Sequence, residues 1–337
     1  MEHVQLSLAE VSALGERCLR RNGCDADNAR AVSETMTLAE RDACHSHGLF
    51  RLPGYVSSLR SGKVNGKAEP RLEELAPSAL RVDGDRGYAS LALQRGLPAF
   101  IECASQQGIA TLALVNIFHF AALWVELEAI AVKNLAALAF VGATAMVAPA
   151  GAQKAFFGTN PLGFAWPRPG REPMVFDQAT AAMARGEIQI AARDKRPVPL
   201  GTGLDAQGLP TTDAAAIING GVQLPFGGYK GSSLSLMVEL LSAGLLGEQF
   251  GAEASHALPK DGGPNRGGQL IIAFNPEKFG NAGAWVEHCE QFFGELLSLD
   301  GVRLPGDRRL AQRELSVRDG VEIPEPLYRE ILALEKD

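Results

Sequence analysis

The chain has 337 residues, 46% of them hydrophobic and 21% charged, enough apolar material for one large mixed domain or about two smaller ones. Its formal net charge of -7 repels nucleic acid and anionic membrane on average but permits a local basic pocket. Cys18, Cys24, Cys44, Cys103 and Cys289 are widely spaced with no Cys-x-x-Cys pair, against a disulfide framework or thiolate zinc site. With a polar N-terminus unlike a signal peptide and no apolar run of roughly 18 residues, this predicts a cytoplasmic protein with no nucleic-acid or membrane partner.

In chain order, Ser7 and Glu10 form a capping box for a helix with Val11, Leu14 and Cys18 on one face, ended by Gly23. Asp25 or Asp27 caps the next, with Ala31, Thr35, Leu38 and Ala39 at helical spacing. A third helical stretch, Ser46 to Leu59, must accommodate Pro53 near an end or kink. Gly62, Asn65 and Gly66 mark a loop, and Arg86 to Ala104 reads as helix. Short apolar runs bounded by glycine follow as buried strands: Thr111 to Val115, Leu135 to Val141, Met174 to Phe176 and Leu270 to Phe274. Helices Leu123 to Lys133 and Ser232 to Leu246 alternate with them, an α/β or mixed α+β pattern. Trp285 to Leu299 is a last helix with Cys289, Phe292, Phe293 and Leu296 on one face. The composition shift predicts residues 1–80 as a helical part packing with 281–337, around a sheet domain of residues 81–280.

The chemistry-bearing strings begin at Ser46-His47-Gly48-Leu49-Phe50-Arg51. In a helix, His47 and Arg51 share a face. The guanidinium fork suits a carboxylate, the imidazole suits proton transfer, and Ser46 can bond or relay to the ring. The plainer alternative is a helix start with Ser46 as cap. Next, His119 ends a strand and Ala121-Ala122 open a helix, where small residues let a phosphate approach backbone amides. A packed turn would look the same. Gly158-Thr159-Asn160-Pro161 is a polar turn with Asn160 extended before proline. Asp177 stands at a strand's C-terminal end, as ligand residue or helix cap. Gly227-Gly228-Tyr229-Lys230-Gly231 is a glycine-rich loop that could form an anion nest, lacking Walker A spacing. No Gly-x-Gly-x-x-Gly follows any strand, so an ordinary Rossmann domain is not indicated. Arg303, Arg308 and Arg309, around a turn, could neutralise a ribose phosphate and favour NADP over NAD. A metal-dependent hydrolase using Asp42, Cys44, His45 and His47 is a reading from another class.

Together, SHGLFRLPGYV, VDGDRGYAS, FHFAALW, GTNPLGFAWPR, VFDQATAAMARGEI, LPFGGYKGSSLSLMVELL and GGQLIIAF resemble the malate/L-lactate dehydrogenase-like oxidoreductases, which are distinct from the Rossmann lactate dehydrogenases. The resemblance implies a two-layer, non-Rossmann nicotinamide-binding domain with a large mixed sheet, a helical domain made from both chain ends, and a homodimer. It implies His47 as proton donor, Ser46 as its relay, and His119 as the catalytic base in some members. Arg51 and Thr159 would contact the substrate carboxylate. The cofactor would meet His119, Phe120, Ala121, Ala122, Leu123, Asp177, Gln178, Ala179, Gly228, Lys230, Arg303, Leu304, Pro305, Gly306, Asp307, Arg308 and Arg309. The string Ala121-Ala122-Leu123-Trp124 looks most like the branch of Δ1-piperideine-2-carboxylate and Δ1-pyrroline-2-carboxylate reductases, which form L-pipecolate and L-proline with NADPH. The expected function is therefore reduction of a small cyclic imine 2-carboxylate. The nearest alternative is an NAD(P)-dependent 2-hydroxy-acid dehydrogenase of malate, lactate, sulfolactate or ureidoglycolate type. Ala152 after VAPAG, where many members carry a second glycine, departs from the family pattern.

Overall fold

A computed structural model describes residues 2–119, 121–256, 261–264, 266–280 and 283–336. In chain order the strands are β1 (His3–Leu6), β2 (Arg71–Ala76), β3 (Ala79–Asp83), β4 (Ile109–Phe118), β5 (Ala136–Val141), β6 (Leu162–Trp166), β7 (Met174–Gln178), β8 (Gly203–Leu204), β9 (Pro210–Thr211), β10 (Val222–Gln223), β11 (Arg266–Phe274) and β12 (Val321–Pro324). The helices are α1 (Leu8–Arg21), α2 (Ala26–Arg41), α3 (Leu52–Arg60), α4 (Ala89–Gln107), α5 (Trp124–Ala131), α6 (Arg185–Arg193), α7 (Ala214–Ile218), α8 (Tyr229–Glu239), α9 (Gly251–Ala254), α10 (Ala284–Leu297), α11 (Asp307–Asp319) and α12 (Glu325–Leu334).

Seven strands form one mixed sheet in the order β2-β3-β4-β11-β5-β6-β7. Only β3 and β4 pair in parallel; the other neighbours are antiparallel. Helices cover both faces, so the domain has three layers rather than the expected two; successive side chains along β5 and β11 point to opposite faces and both faces are apolar. Ala137, Ala139, Ile271 and Ala273 face the helices α4 and α5, joining Phe100, Leu123 and Leu127 in one core. Leu138, Phe140, Leu270 and Ile272 face α8 and its π-helical continuation Leu240–Gly244 through Val238 and Leu241. This is the expected mixed α/β sheet domain, without Rossmann strand order. No helix among the described residues is long and apolar enough to cross a membrane.

A second core holds the chain's two ends. Val321, Ile323 and Ile331 are buried with Leu6, Val11, Leu14 and Leu52, and β1 pairs antiparallel with β12. The capping box of Ser7 and Glu10 starts α1, and Asp25 rather than Asp27 caps α2 through the Asn28 N–H. α10 packs differently. Trp285 stands edge-on to Trp166 at 5.7 Å, and Arg168 binds both carboxylate oxygens of Glu290 at 2.7 Å. Of its expected apolar face only Phe293 is buried, and Phe292 is exposed.

Two predicted helices begin late. Arg86 has φ 59, a left-handed conformation, so α4 starts only at Ala89. The stretch from Ser46 is not one helix. It comprises 3-10 turns His45–His47 and Leu49–Arg51, separated at Gly48 (φ −89, ψ −142), and α3 starts at Leu52 with Pro53 in its first turn. The cause lies outside the segment. Buried Glu40 accepts from the Leu49 N–H at 2.7 Å and meets His45 Nδ1 at 2.7 Å. A Cβ on residue 48 would stand 2.1 Å from Glu40 Oε1, so only glycine fits there.

Asp42 joins α2, α5 and α11 beneath the site. It accepts from Arg313 at 2.8 Å, Arg41 at 2.7 Å and Trp124 Nε1 at 3.0 Å, while Arg313 also binds Glu128 at 2.8 Å. Burial pushes the Asp42 carboxyl up, but the Arg313 and Arg41 hydrogen bonds outweigh it and hold the group below its ordinary value. Asp42→Ala would strand the Arg313 charge with half its partners and lower stability by about 3 kcal/mol. Urea denaturation reads this directly; an unchanged midpoint would mean the network adds nothing.

Candidate active site

β4, β5 and β7 run in the same direction, and their C-terminal ends open onto one cleft of about 1400 Å³. The 3-10 turns close it from the helical part, bringing Ser46, His47 and Arg51 to its wall. His119, Ala121, Ala122, Thr159, Asp177, Gln178, Ala179, Arg308 and Arg309 line the same cleft. Residues from both ends of the chain thus line one cleft.

His47 Nδ1 lies 3.1 Å from Ser46 Oγ and 3.5 Å from Cys44 Sγ. With Nδ1 engaged by the protein, Nε2 is left for a ligand. Burial, then the charges of Arg51 and His119, drives the His47 imidazole down to about 3. His119 is pushed down to about 4 by burial, and its Nε2 has no hydrogen-bond partner among the described residues. Such a buried orphan nitrogen suits a ligand that brings its own polar group. Arg51 is buried, its Nη1 donates to Gln189 Oε1 at 3.3 Å, and burial lowers its pKa to about 10.

Asp177 lines the cleft and also accepts the Leu123 N–H at 2.6 Å, fastening the start of α5 to the end of β7. Burial raises its carboxyl to about 6 against that hydrogen bond. Leu123 itself packs into the core. Thr159 sits between Gly158 and Asn160, in a turn held by buried Glu239, which accepts from Asn160 Nδ2 at 2.9 Å and the Gly158 N–H at 3.3 Å. Asn160 is not extended as expected before proline: its φ is 42. Its side chain bonds Ala143 N, Ser235 O and Glu239, and those contacts overrule the local preference.

The remaining expected residues lie elsewhere. Gly228 (φ 62) and Lys230 are exposed and outside the cleft lining, where Phe226 represents their loop. Arg303 is exposed, and Leu304, Pro305 and Gly306 form the turn before α11, whose first residue Asp307 accepts the Leu304 N–H at 2.8 Å. Gly151 and Ala152 do not line the cleft. Phe120 lies outside the described residues. The metal reading fails on its ligands. Asp42 is saturated by arginines and Trp124, His45 is bound to Glu40, and among the described residues no three His, Cys, Asp or Glu converge. Sequence reasoning missed Met183, Arg185 and Glu187, which also line the cleft. Glu187 faces Cys44, His45 and Arg51. They lie within the string VFDQATAAMARGEI, which carried the resemblance, but their place in the cleft follows from the docking of α6 against Ser46.

The two low imidazoles imply acid sensitivity. Unfolded, each returns to 6.5; folded, they stay neutral until about 3 and about 4. The stability each contributes is complete above 6.5 and falls as pH drops toward its folded value, by up to ~1.4 kcal/mol per pH unit per group. Burial shifts Asp177, to about 6, and Glu126, to about 8, the opposite way. The informative quantity is therefore the difference between wild type and His47→Gln: below pH 6 the variant should lose stability less steeply in urea titrations. Parallel slopes would mean His47 is not held neutral.

The model of the family described as malate/L-lactate dehydrogenase matches residues 6–332. A Δ1-pyrroline-2-carboxylate/Δ1-piperideine-2-carboxylate reductase of Pseudomonas aeruginosa is 48% identical, over 98% of this chain and 99% of its own. A Δ1-pyrroline-2-carboxylate reductase of Pseudomonas fluorescens is 45% identical, over 99% of each chain. The crystal structure of Δ1-piperideine-2-carboxylate reductase from Pseudomonas syringae superposes with a TM-score of 0.92 at 41% identity, covering 98% of this chain and 99% of that one.

Proposed function

Because the chain belongs to the malate/L-lactate dehydrogenase family of oxidoreductases, we propose that it reduces Δ1-pyrroline-2-carboxylate or Δ1-piperideine-2-carboxylate to L-proline or L-pipecolate, using NADPH. The observation that carries this reading is the convergence of His47, Arg51 and Thr159 in one cleft with His119 and Asp177.

Relatives named reductases and dehydrogenases imply a nicotinamide cofactor. The cleft fits one: His119 Nε2 is a buried atom lacking a partner among the described residues, and Ala121 and Ala122 leave room beside it. His119, Ala121, Ala122, Asp177, Gln178 and Ala179 would hold it, with Arg308 and Arg309 toward a ribose phosphate and Gly228 and Lys230 closing from their loop. When bound, the nicotinamide supplies hydride to the imine carbon. Arg51 grips the substrate carboxylate in two hydrogen bonds, and Thr159 adds a third donor. Fixing the acid this way replaces a bimolecular encounter by a bound geometry, which lowers the barrier by several kcal/mol. His47, steadied at Nδ1 by Ser46, delivers the proton to the ring nitrogen from Nε2. Of the two histidines, His47 takes the proton role because its second nitrogen is oriented by the protein. The reading includes a homodimer, as the family resemblance implies, working in the cytoplasm, where widely spaced reduced cysteines are expected.

NADPH oxidation is measured against the two cyclic imines, pyruvate and oxaloacetate, and repeated with NADH. Turnover of the imines with NADPH is expected. Activity on the 2-oxo acids alone would transfer the protein to the 2-hydroxy-acid dehydrogenases. Arg308→Ala should raise KM for NADPH about tenfold, the loss of one exposed charge-assisted contact, and leave KM for NADH nearly unchanged. An equal effect on both cofactors would remove Arg308 from phosphate recognition.

A further inference from the structure

We infer that Arg185, the first residue of α6, is a second oxyanion-binding group of the cleft, separate from Arg51. α6 is pressed onto the site: a Cβ on Gly186 would lie 2.7 Å from Arg51 Nη2 and 2.9 Å from Ser46 Cβ. Only glycine lets the helix approach this closely, and the approach puts Arg185 in the cleft wall. Its guanidinium hydrogen-bonds to a neutral group, Gln223 Oε1, at a long 3.5 Å. Gln223 is fully buried and donates to the Met183 carbonyl at 2.9 Å, so its oxygen is fixed in place.

The contrast with other arginines in this protein is informative. Arg168 faces Glu290, Arg313 faces Asp42 and Glu128, and Arg266 faces Glu248. Arg185 forms no ion pair with any described residue, and burial alone depresses its pKa, with no acid offsetting it. A sheltered cation without countercharge is costly unless something else provides the negative charge. An amide oxygen orients the fork without neutralising it. That is the arrangement a protein needs when the anion arrives with a ligand.

The ligand chemistry is an oxyanion held by a planar fork. Resting on the proposed reaction, two groups could supply it. Gly186 adjoins Arg51 and Ser46, which favours the substrate carboxylate. Gln223 leads into the Phe226 loop, which would put a cofactor phosphate within reach. Arg185→Gln and Arg185→Lys separate them. Binding of NADPH is followed by fluorescence. Binding of pyrrole-2-carboxylate, a planar ring acid, to the NADPH-saturated protein is followed by calorimetry. Thermal melting checks folding.

Arg185→Gln should weaken pyrrole-2-carboxylate about tenfold or more, the loss of a charge-assisted contact, with NADPH binding unchanged and partial recovery in Arg185→Lys. A loss confined to NADPH assigns the oxyanion to the cofactor's phosphates. Affinities within about twofold of wild type for both ligands, in either folded variant, would overturn the inference. If the wild-type protein ignores pyrrole-2-carboxylate, the imine-acid reading fails, and Arg185 is judged on NADPH alone.

Discussion

Arg51→Gln is expected to lower kcat/KM for the cyclic imine acid by about a thousandfold, equivalent to ~4 kcal/mol of transition-state binding. The guanidinium is buried and set between the 3-10 turn and Gln189, so solvent replaces it poorly when it is lost. A site built to bond a polar group discriminates strongly, because an unmatched buried partner costs far more than a missing methylene. Both KM and kcat should change, since the same contact fixes the distance to the cofactor. The variant has a second signature. Arg51 helps to hold the His47 pKa down, so its removal should raise that pKa and move the alkaline limb of the pH profile to higher pH. A variant with near-normal kcat/KM would remove Arg51 from carboxylate recognition.

His47→Asn should lower kcat by about a hundred to ten-thousandfold, the usual contribution of a positioned acid, while leaving KM close to wild type. The pH dependence carries more information than the rate. In the free protein the imidazole is neutral at pH 7, because burial, Arg51 and His119 push it to about 3. If His47 must carry the proton, kcat/KM for reduction falls about tenfold per pH unit through the neutral range, since the charged fraction falls at that rate. A bound carboxylate cancels the Arg51 charge and raises the His47 pKa in the complex. The kcat profile should therefore be flatter than that of kcat/KM. Any slope remaining in His47→Asn belongs to the imine itself. His119→Asn should be the milder variant, and a larger loss there than in His47→Asn would transfer the proton role.

Much of the fold was readable locally. Ser7 and Glu10 define the start of α1 by bonding each other's backbone. The apolar runs of β5 and β11 alternate across a sheet covered on both faces, which is why they read as continuous hydrophobic strands. Where local reading failed, a distant group had intervened. Glu40 breaks the stretch after Ser46 into 3-10 turns by binding Leu49 and His45, so His47 and Arg51 do not share a helical face. Asn160 takes a left-handed φ because Ala143, Ser235 and Glu239 hold its amide.

By itself the sequence determined the identity of the chemical groups and the layered architecture, because capping, alternation and charge act over a few residues. Tertiary structure alone decided which groups meet. It folded Asp42 and His45 away from metal chemistry into ion pairs, left Lys230 in solvent, and pressed α6 onto Ser46 so that Arg185 and Glu187 entered the cleft. The physical reason is range. A hydrogen bond or a steric gap across hundreds of residues depends on the packed backbone, and no spacing rule along the chain encodes it.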